Sequence, residues 1–148
     1  LEHLQDPGNL GTMLRAGEGA GLSAILANRG TVDVYNPKLV RATMGSIFRI
    51  PVIYVDDFRE ALLTLAREGI CLYAAALQAS VPYDSIEYPE KTAFLIGNEA
   101  AGLTAETIAM ADQSIHIPML GQVESLNAAV AASVLLYECA RQRRRETR

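Results

Sequence analysis

Three short polar segments carry the residue types of this chain that are best suited to binding and chemistry. Each joins an apolar, strand-like run to a helix-like run and is rich in Gly, Pro, Asn or Ser. They are residues 6–15 (DPGNLGTMLR), residues 96–102 (IGNEAAG) and residues 117–127, which begin with IPM and end with ESLN. Backbone groups at such junctions are free to bind a ligand. The segments therefore predict a site built from loops that are distant in sequence.

The polar side chains of these segments include groups that position a substrate or stabilise charge. Asn9 and Arg15 are six residues apart in the first segment, Glu99 lies in the second, and Ser125 and Asn127 close the third. Taken singly, each has a simpler explanation, because an amide or hydroxyl there could cap a helix and the guanidinium could be a surface or ion-paired group. The second segment could likewise be a tight turn, for which glycine is suited.

Other ligand-binding motifs fail or are missing from the sequence. The glycine run that starts at Gly17 resembles a dinucleotide-binding loop, but the sixth position of that motif holds Leu22. The run also ends a predicted helix, whereas the motif opens one. No Walker loop, HExxH motif or GxSxG motif occurs. His3 and His116 stand alone, so we expect no metal site and interpret both as structural.

Apolar periodicity and turn residues divide the chain into alternating strands and helices. The predicted strands are residues 1–4 (the end of a strand), 23–27, 51–55, 70–77, 92–96 and 114–117. The predicted helices are residues 9–20, 37–46, 57–68, 105–111 and 126–142. Asp57 is expected to cap the third helix and Gly69 to stop it, and residues 80–90 are a predicted loop. This alternation indicates one α/β domain over residues 1–148 with a parallel sheet.

The charge distribution separates an acidic body from a basic C-terminus. The chain has 13 basic and 17 acidic residues, and five of the basic residues lie between positions 141 and 148. Residues 1–140 carry a net charge of −8, so the body lacks the overall basic face that nucleic-acid binding usually needs. We interpret the Arg-rich tail as a solvated helix end. Four residues could still form a local basic patch: Arg15, Lys38, Arg41 and Arg49.

The predicted last helix is apolar almost all round, because 12 of the 15 residues from 126 to 140 are hydrophobic. A helix of this kind must be covered on several sides. Either it is central to the core of the chain, or a partner subunit covers part of it. The pattern alone does not decide between these two arrangements.

The cysteines and the hydropathy profile predict a cytoplasmic protein. Cys71 and Cys139 lie in apolar runs, which indicates buried thiols in a reducing compartment. No apolar run approaches the ~20 residues of a membrane span, and no signal-peptide pattern is present. The sequence begins at Leu1, without Met, in a run that already resembles a strand. We therefore expect a further segment upstream.

In order, spacing and residue types, the three segments together resemble the motifs of the SpoU (TrmH-like) branch of the SPOUT RNA methyltransferases. The resemblance extends over residues 4–138. It implies a parallel sheet with helices on both faces and a C-terminal trefoil knot, although general topology rules argue against knots. It also implies S-adenosylmethionine as cofactor, an RNA substrate (rRNA or tRNA) bound across a homodimer, and an RNA-binding segment upstream of Leu1.

The same resemblance assigns roles to residues of the three segments. The catalytic residues that it implies are Arg15, Asn9, Glu99, Ser125 and Asn127. The cofactor-binding residues that it implies are Leu77, Gly97, Ile117, Met119, Leu126 and Asn127. A similar protein holds the cofactor with backbone groups at the positions that match Gly97, Ile117 and Leu126. The Asn–Arg pattern of the first segment is typical of ribose methylation, which disfavours a base-methylating SPOUT enzyme.

Two roles for Arg15 remain open, a general base and an electrostatic or positioning group. Deprotonating an arginine at pH 7 costs roughly 7–9 kcal/mol, at about 1.36 kcal/mol per pKa unit, and a neighbouring phosphate adds to that cost. Offsetting charge on a developing alkoxide is physically cheaper. The predicted function is S-adenosylmethionine-dependent 2'-O-methylation of ribosomal or transfer RNA. The alternative is a non-catalytic RNA-binding or ribosome-assembly protein with the same fold.

Overall fold

The computed structural model describes residues 1–146, which alternate between helices and strands as predicted. The helices are α1 (Pro7–Ala20), α2 (Pro37–Ala42), α3 (Phe58–Arg67), α4 (Ala105–Ala109) and α5 (Ala128–Glu146). The strands are β1 (Ile25–Asn28), β2 (Val52–Val55), β3 (Cys71–Ala75), β4 (Val81–Pro82), β5 (Thr92–Leu95) and β6 (Gln113–His116). Two short 3-10 turns follow α2 and β4, at Ser46–Phe48 and Tyr83–Ser85.

The strands pair in parallel and form two sheets. β1 pairs with β2, and the larger sheet has the order β4-β6-β3-β5. In the larger sheet, Tyr73 is in register with Gln113, and Val81 is in register with Ile115. The predicted α/β fold with a parallel sheet is therefore confirmed. β6 comes last in sequence yet lies between β3 and β4, and the trefoil knot implied by the family resemblance stays a prediction.

Helices cover both faces of the larger sheet. Side chains alternate along β3, so its residues contribute to an apolar cluster on each face. Leu72 and Ala74 belong to an apolar cluster with Leu62 of α3 and Leu103, which precedes α4. Tyr73 points to the opposite cluster, which contains the buried residues of α1 and α5. Burial of apolar side chains on both sides fixes the strand register, since a shift by one residue would exchange the two faces.

α3 shows how local sequence sets the limits of an element. The side chain of Asp57 accepts a hydrogen bond from the backbone N–H of Glu60 at 2.9 Å, which caps the helix as expected. Gly69 has φ 74°, a left-handed conformation that glycine adopts without strain. The predicted cap and the predicted stop are both confirmed.

The prediction of a strand at residues 1–4 is wrong. His3 has φ 54°, which turns the chain out of the extended conformation and interrupts any ladder. The segment instead bridges the two sheets. The carbonyl of Leu1 accepts from the N–H of Asn28 at 3.1 Å, and the N–H of Glu2 donates to the carbonyl of Ile96 at 2.9 Å.

Other boundaries differ from prediction by a few residues. The predicted loop at 80–90 contains β4 and a 3-10 turn, because Val81–Pro82 pairs with the edge of β6, where a proline without an N–H is tolerated. α2 ends at Ala42, and α5 continues beyond the predicted end at residue 142 to Glu146. Cys139 is buried, but Cys71, predicted to be buried, is half-buried. Arg148 of the Arg-rich tail lies outside the described residues.

α5 packs against α1 and is covered on one side by the core of the chain itself. Ala129, Ala132, Leu135 and Cys139 are each at most 5% exposed. Val130 and Tyr137, seven residues apart, are 47% and 48% exposed. Leu135 therefore belongs to the core, and an intermolecular surface on α5 must use the Val130 and Tyr137 side. Among the helices of residues 1–146, none is long and apolar enough to cross a membrane.

Candidate active site

A cavity of about 530 Å³ lies at the carboxyl ends of β3, β5 and β6. The loops that follow these strands line it, together with residues 124–126 and the first turns of α5. Ligands bind at this edge of open parallel sheets, because loops diverge there and leave backbone groups unpaired. The volume lies in the range of small-molecule binding pockets, roughly 300–1,000 Å³.

Five of the six predicted cofactor-binding residues line this cavity. They are Leu77, Gly97, Ile117, Met119 and Leu126. Asn127 is not among the residues that line the cavity, and its role as a cofactor-binding residue stays a prediction. The Asn127 Oδ1 accepts from the N–H groups of Ala129 and Val130, at 2.9 and 3.3 Å, and so caps α5.

Glu99 connects the second segment to the first. Its Oε1 accepts from the N–H of Asp6 at 2.9 Å and from the Nδ2 of Asn9 at 3.1 Å. Its Oε2 accepts from the N–H of Gln5 at 3.1 Å. Glu99 also lines the cavity. The carboxylate therefore fixes the entrance to α1 beside the space in which a ligand would bind.

The pKa of Glu99 reflects these contacts. Partial burial raises it, but the hydrogen bonds from the backbone of Asp6 and Gln5 and from the Asn9 amide outweigh burial and lower the pKa below its ordinary value. A carboxylate with a lowered pKa is a poor proton acceptor at neutral pH. Glu99 is therefore suited to positioning other groups, and it is unsuited to acting as a general base.

Asn9 links the first segment to the third. Its Oδ1 accepts from the Nδ2 of Asn127 at 2.9 Å, while its own Nδ2 donates to Glu99. The alternative interpretation of Asn9 as a helix cap is wrong, since Asp6 is the N-cap of α1 and its Oδ1 accepts from the N–H of Asn9 at 2.8 Å. Glu99, Asn9 and Asn127 thus form one hydrogen-bonded chain across all three segments.

The loop after β5 is closed on itself, and Asn98 holds it. The backbone groups of Asn98 and Gly102 exchange two hydrogen bonds, at 3.1 and 2.9 Å. The Asn98 Oδ1 accepts from the N–H groups of Ala100 and Ala101, both at 2.9 Å. Asn98 was not predicted as a site residue, although an Asn before a short Glu-Ala-Ala-Gly turn is a recognisable signal for a side chain that closes a turn.

Gly97 lines the cavity, and the close packing of this loop also requires a glycine at that position. A Cβ at Gly97 would lie 2.2 Å from the backbone carbon of Gly102 and 2.3 Å from the N of Leu103. Backbone atoms cannot move away as a flexible side chain can, so any larger residue would displace the loop. A substitution at Gly97 therefore changes the loop before it tests whether a ligand approaches that position.

Arg15 lies apart from the other predicted catalytic residues. Six residues along a helix correspond to a rotation of about 240° and a rise of about 9 Å from Asn9. The side chain of Arg15 is exposed and makes no hydrogen bond or ion pair within residues 1–146. It also does not line the cavity. The single chain therefore brings Asn9, Glu99 and Asn127 together but leaves Arg15 on a different surface.

Ser125 and His116 complete the lining of the cavity on the side of the third segment. Ser125 is exposed, as a group that receives a substrate must be. The Nδ1 of His116 lies 2.8 Å from the hydroxyl of Ser80, so this histidine has the structural contact expected from the sequence and also borders the cavity. Residues 1–146 contain no group of three or more His, Cys, Asp or Glu residues that could hold a metal ion.

Comparison with known proteins gives one consistent result. The family model described as the SpoU rRNA methylase family matches residues 1–137. The chain is 43% identical over 143 residues to the 23S rRNA (guanosine(2553)-2'-O)-methyltransferase RlmP of Bacillus subtilis. The aligned region covers 93% of this chain and 55% of that protein.

Two solved structures with bound cofactor share the fold. The SpoU methyltransferase AviRb from Streptomyces viridochromogenes in complex with AdoMet has a TM-score of 0.88 at 34% identity, covering 96% of this chain and 56% of the other. The AdoMet-bound rRNA methyltransferase from Sinorhizobium meliloti has a TM-score of 0.86 at 37% identity, covering 93% and 53%. The chain spans about half the length of each of these three proteins. It has the SPOUT fold, and it belongs to the SpoU rRNA methylase family.

Proposed function

We propose that this chain is the catalytic domain of an S-adenosylmethionine-dependent RNA 2'-O-methyltransferase. The observation that carries the proposal is the hydrogen-bonded chain of Glu99, Asn9 and Asn127 beside the cavity. It joins three segments that are far apart in sequence, and it does so beside the cavity. The relatives named 23S rRNA 2'-O-methyltransferases support the same reaction.

The cavity suits S-adenosylmethionine. Its lining combines apolar side chains such as Leu77, Ile117 and Leu126 with the backbone of the loop that contains Gly97. Apolar faces and strand-end backbone groups are what an adenosine needs for packing and for edge hydrogen bonds. When bound, S-adenosylmethionine supplies a methyl group on a positively charged sulfur, which a hydroxyl oxygen can attack.

The proposed reaction forms one O–C bond and breaks one C–S bond. The ribose 2'-oxygen would take up the methyl group and lose its proton to water, because Glu99 has a lowered pKa and Arg15 is permanently charged. The sulfur of the donor would keep the electron pair of the broken C–S bond. The amide of Asn9 and the hydroxyl of Ser125 lie near the ribose, while Glu99 and Asn127 position Asn9. In the homodimer proposed next, Arg15 lies at the junction between subunits, where its permanent charge would stabilise the oxygen as the proton leaves.

We propose that the protein acts as a homodimer whose seam includes α1 and α5. Thr12, Arg15 and Gly19 form an exposed stripe on α1, and Val130 and Tyr137 form an exposed stripe on α5. The two stripes adjoin, because a Cβ on Gly19 would lie 2.6 Å from the hydroxyl of Tyr137. A seam here covers exposed apolar side chains and brings Arg15 to the junction between subunits, where RNA bound across the dimer would meet it.

The proposed substrate is ribosomal RNA, which is the substrate in the names of the curated relatives. A protein that acts on this RNA belongs in the cytoplasm, which agrees with the interpretation of its cysteines as thiols in a reducing compartment. The specific nucleotide follows from contacts outside the cavity, since the cavity itself is of the size expected for the methyl donor.

Calorimetric titration with S-adenosylmethionine and transfer of its labelled methyl group to ribosomal RNA test the proposal. We expect donor binding and transfer, and loss of transfer in Asn9→Ala. A protein that binds ribosomal RNA but neither binds nor consumes the donor would support the alternative, a non-catalytic RNA-binding or ribosome-assembly protein. Full activity of Asn9→Ala would remove the central residue of the site from the chemistry.

A further inference from the structure

The segment from Tyr35 to Ile50 presents two different sides. One side is packed into the protein, because Leu39 and Thr43 are 0% exposed and Ser46 and Ile50 are at most 7% exposed. These buried positions recur every three or four residues. The positions between them form the outer face, which we define by Tyr35, Lys38, Arg41, Met44 and Phe48.

The outer face exposes large apolar side chains that the fold leaves uncovered. Phe48 is 85% exposed, Tyr35 is 78% exposed and Met44 is 69% exposed. Single exposed apolar residues are common on protein surfaces, but several within one segment mark an interaction surface. Met44 also has φ 50°, an uncommon backbone conformation for a residue with a side chain, and such outliers concentrate at functional surfaces.

The outer face is also basic, in contrast to the rest of the body. Residues 34–55 contain three basic residues and no Asp or Glu. Arg41 is exposed and has no ion-pair partner within the described part of the chain. Lys38 lies 3.7 Å from Asp6 in an exposed pair, which is weak and easily exchanged for another anion. Arg49 is paired with Glu18 and belongs to the packing of the segment.

The outer face continues directly into the candidate active site. α2 packs against α1 so closely that a Cβ on Gly11 would lie 2.6 Å from the Cβ of Ala42. Lys38 lies close to Asp6, which is the N-cap of α1. The backbone N–H of Asp6 in turn donates to Glu99. A linear ligand that occupies the outer face therefore leads to Asn9, which follows Asp6 by three residues.

We propose that the outer face binds a single-stranded stretch of the substrate RNA next to the methylated nucleotide. Unpaired bases stack on Phe48 and Tyr35, and phosphates contact Arg41 and Lys38. This combination of exposed aromatic rings and exposed cations is typical of single-strand binding surfaces. A protein partner fits less well, because the surface is cationic and lies beside the site where RNA reacts. The inference rests on the proposed function and deepens it by assigning a surface for substrate recognition.

The test measures RNA affinity of the full-length natural protein and of Phe48→Ala, Tyr35→Ala and Arg41→Ala. The probe is a fluorescently labelled, mixed-sequence single-stranded RNA oligonucleotide, followed by anisotropy at several salt concentrations. We expect the aromatic substitutions to weaken binding by about tenfold each, as the loss of a stacking platform does. Arg41→Ala should reduce the salt dependence by about one phosphate contact.

Ile53→Ala and Arg59→Ala are the matched controls, since Ile53 is 49% exposed and Arg59 is an exposed basic residue of α3, and neither belongs to the outer face. Both should bind the probe as the parent does. Unchanged RNA affinity and salt dependence in all three outer-face variants would overturn the inference. A change in sedimentation of Phe48→Ala with unchanged RNA affinity would also overturn it, in favour of a protein interface.

Donor titration and methyl transfer on the same variants separate this inference from the proposed function. Donor affinity should stay within about twofold of the parent, because no outer-face residue lines the cavity. If the parent transfers methyl groups and the outer-face variants bind RNA as the parent does, RNA binding by the outer face is refuted and the proposed function is not. A parent that transfers none while the variants lose RNA affinity refutes the catalytic function and leaves the RNA surface standing.

Discussion

The side-chain amide of Asn9 donates to the carboxylate of Glu99 at 3.1 Å and accepts from the amide of Asn127 at 2.9 Å. These residues come from three segments that are far apart in sequence. The amide orientation is fixed from both sides, since one neighbour can accept only and the other is itself held by the N-terminus of α5. Asn9 therefore has little freedom to rotate, as expected of a preorganised group at an active site.

The charge on Glu99 should stabilise the fold at neutral pH. Glu99→Gln places an NH₂ group against N–H donors and should lower the free energy of unfolding by about 1 kcal/mol at pH 7. Because the pKa of Glu99 is lowered from its ordinary value of 4.5, its contribution is complete above about that pH and disappears as the pH falls through the lowered value. Urea denaturation of parent and variant across this range measures the difference.

Glu106→Gln is the control for this prediction. Glu106 pairs with Arg59, and both side chains are about two-thirds exposed (68% and 65%), so its substitution should change stability by no more than about 0.5 kcal/mol. A stability difference between parent and Glu99→Gln that does not shrink at low pH would show that the carboxylate charge is not what holds the segments together.

Leu77 offers a cleaner test of the donor site than Gly97. Gly97→Val would displace the loop backbone, whereas Leu77 lines the cavity and is 64% exposed, so Leu77→Asp should fold. A carboxylate on this apolar wall should weaken binding of S-adenosylmethionine at least tenfold, about 1.4 kcal/mol. Calorimetry measures the change. Leu120→Asp, at a fully exposed position outside the lining, should bind as the parent does, and equal effects of both substitutions would refute the site.

Arg15 should affect turnover and leave donor affinity unchanged, because it does not line the cavity. Arg15→Lys keeps the charge but loses the planar guanidinium, so activity should fall without vanishing. Arg15→Ala should lose more, about 2–4 kcal/mol of transition-state stabilisation. Methyl transfer to RNA by the full-length protein is the assay. Wild-type turnover of Arg15→Ala would exclude a catalytic role, and lost donor affinity would move Arg15 into the cofactor site.

Substitution of Val130 should weaken the dimer, whereas substitution of Leu135 serves as a control that should unfold the chain. Val130→Glu places a carboxylate on the exposed stripe of α5, so the chain should fold but associate less tightly by several kcal/mol. Sedimentation velocity at micromolar concentration should show a dimer for the parent and a monomer for the variant. Leu135→Glu should unfold the chain, since Leu135 is 1% exposed. A monomeric parent would contradict the proposed assembly.

The parts of the fold that could be predicted are those that depend on nearby residues. The cap at Asp57 and the stop at Gly69 follow from local hydrogen bonding and backbone freedom. β4 was missed because its pairing depends on β6, more than thirty residues away. The strand predicted at residues 1–4 failed because nothing in the sequence Leu-Glu-His-Leu signals the positive φ of His3.

The sequence predicted which residues belong to the candidate site better than it predicted how those residues contact one another. The motifs identified Asn9, Glu99 and Asn127, but their hydrogen-bonding pattern depends on how distant segments meet. The sequence also did not show that the Asn127 side chain caps α5, because that contact depends on where the helix begins. The separation of Arg15 from Asn9 follows from helix geometry, since a spacing of six residues does not return to the same face.

The central claim is that this chain transfers a methyl group to a ribose hydroxyl, and mass spectrometry of the product tests it most directly. Ribosomal RNA from a strain that lacks the protein is incubated with the full-length protein and isotope-labelled S-adenosylmethionine, then digested to nucleosides. We predict that the label appears in a nucleoside methylated on the ribose, and that Asn9→Ala abolishes it. Label on a base, or no label in RNA from a protein that binds the donor, would contradict the account.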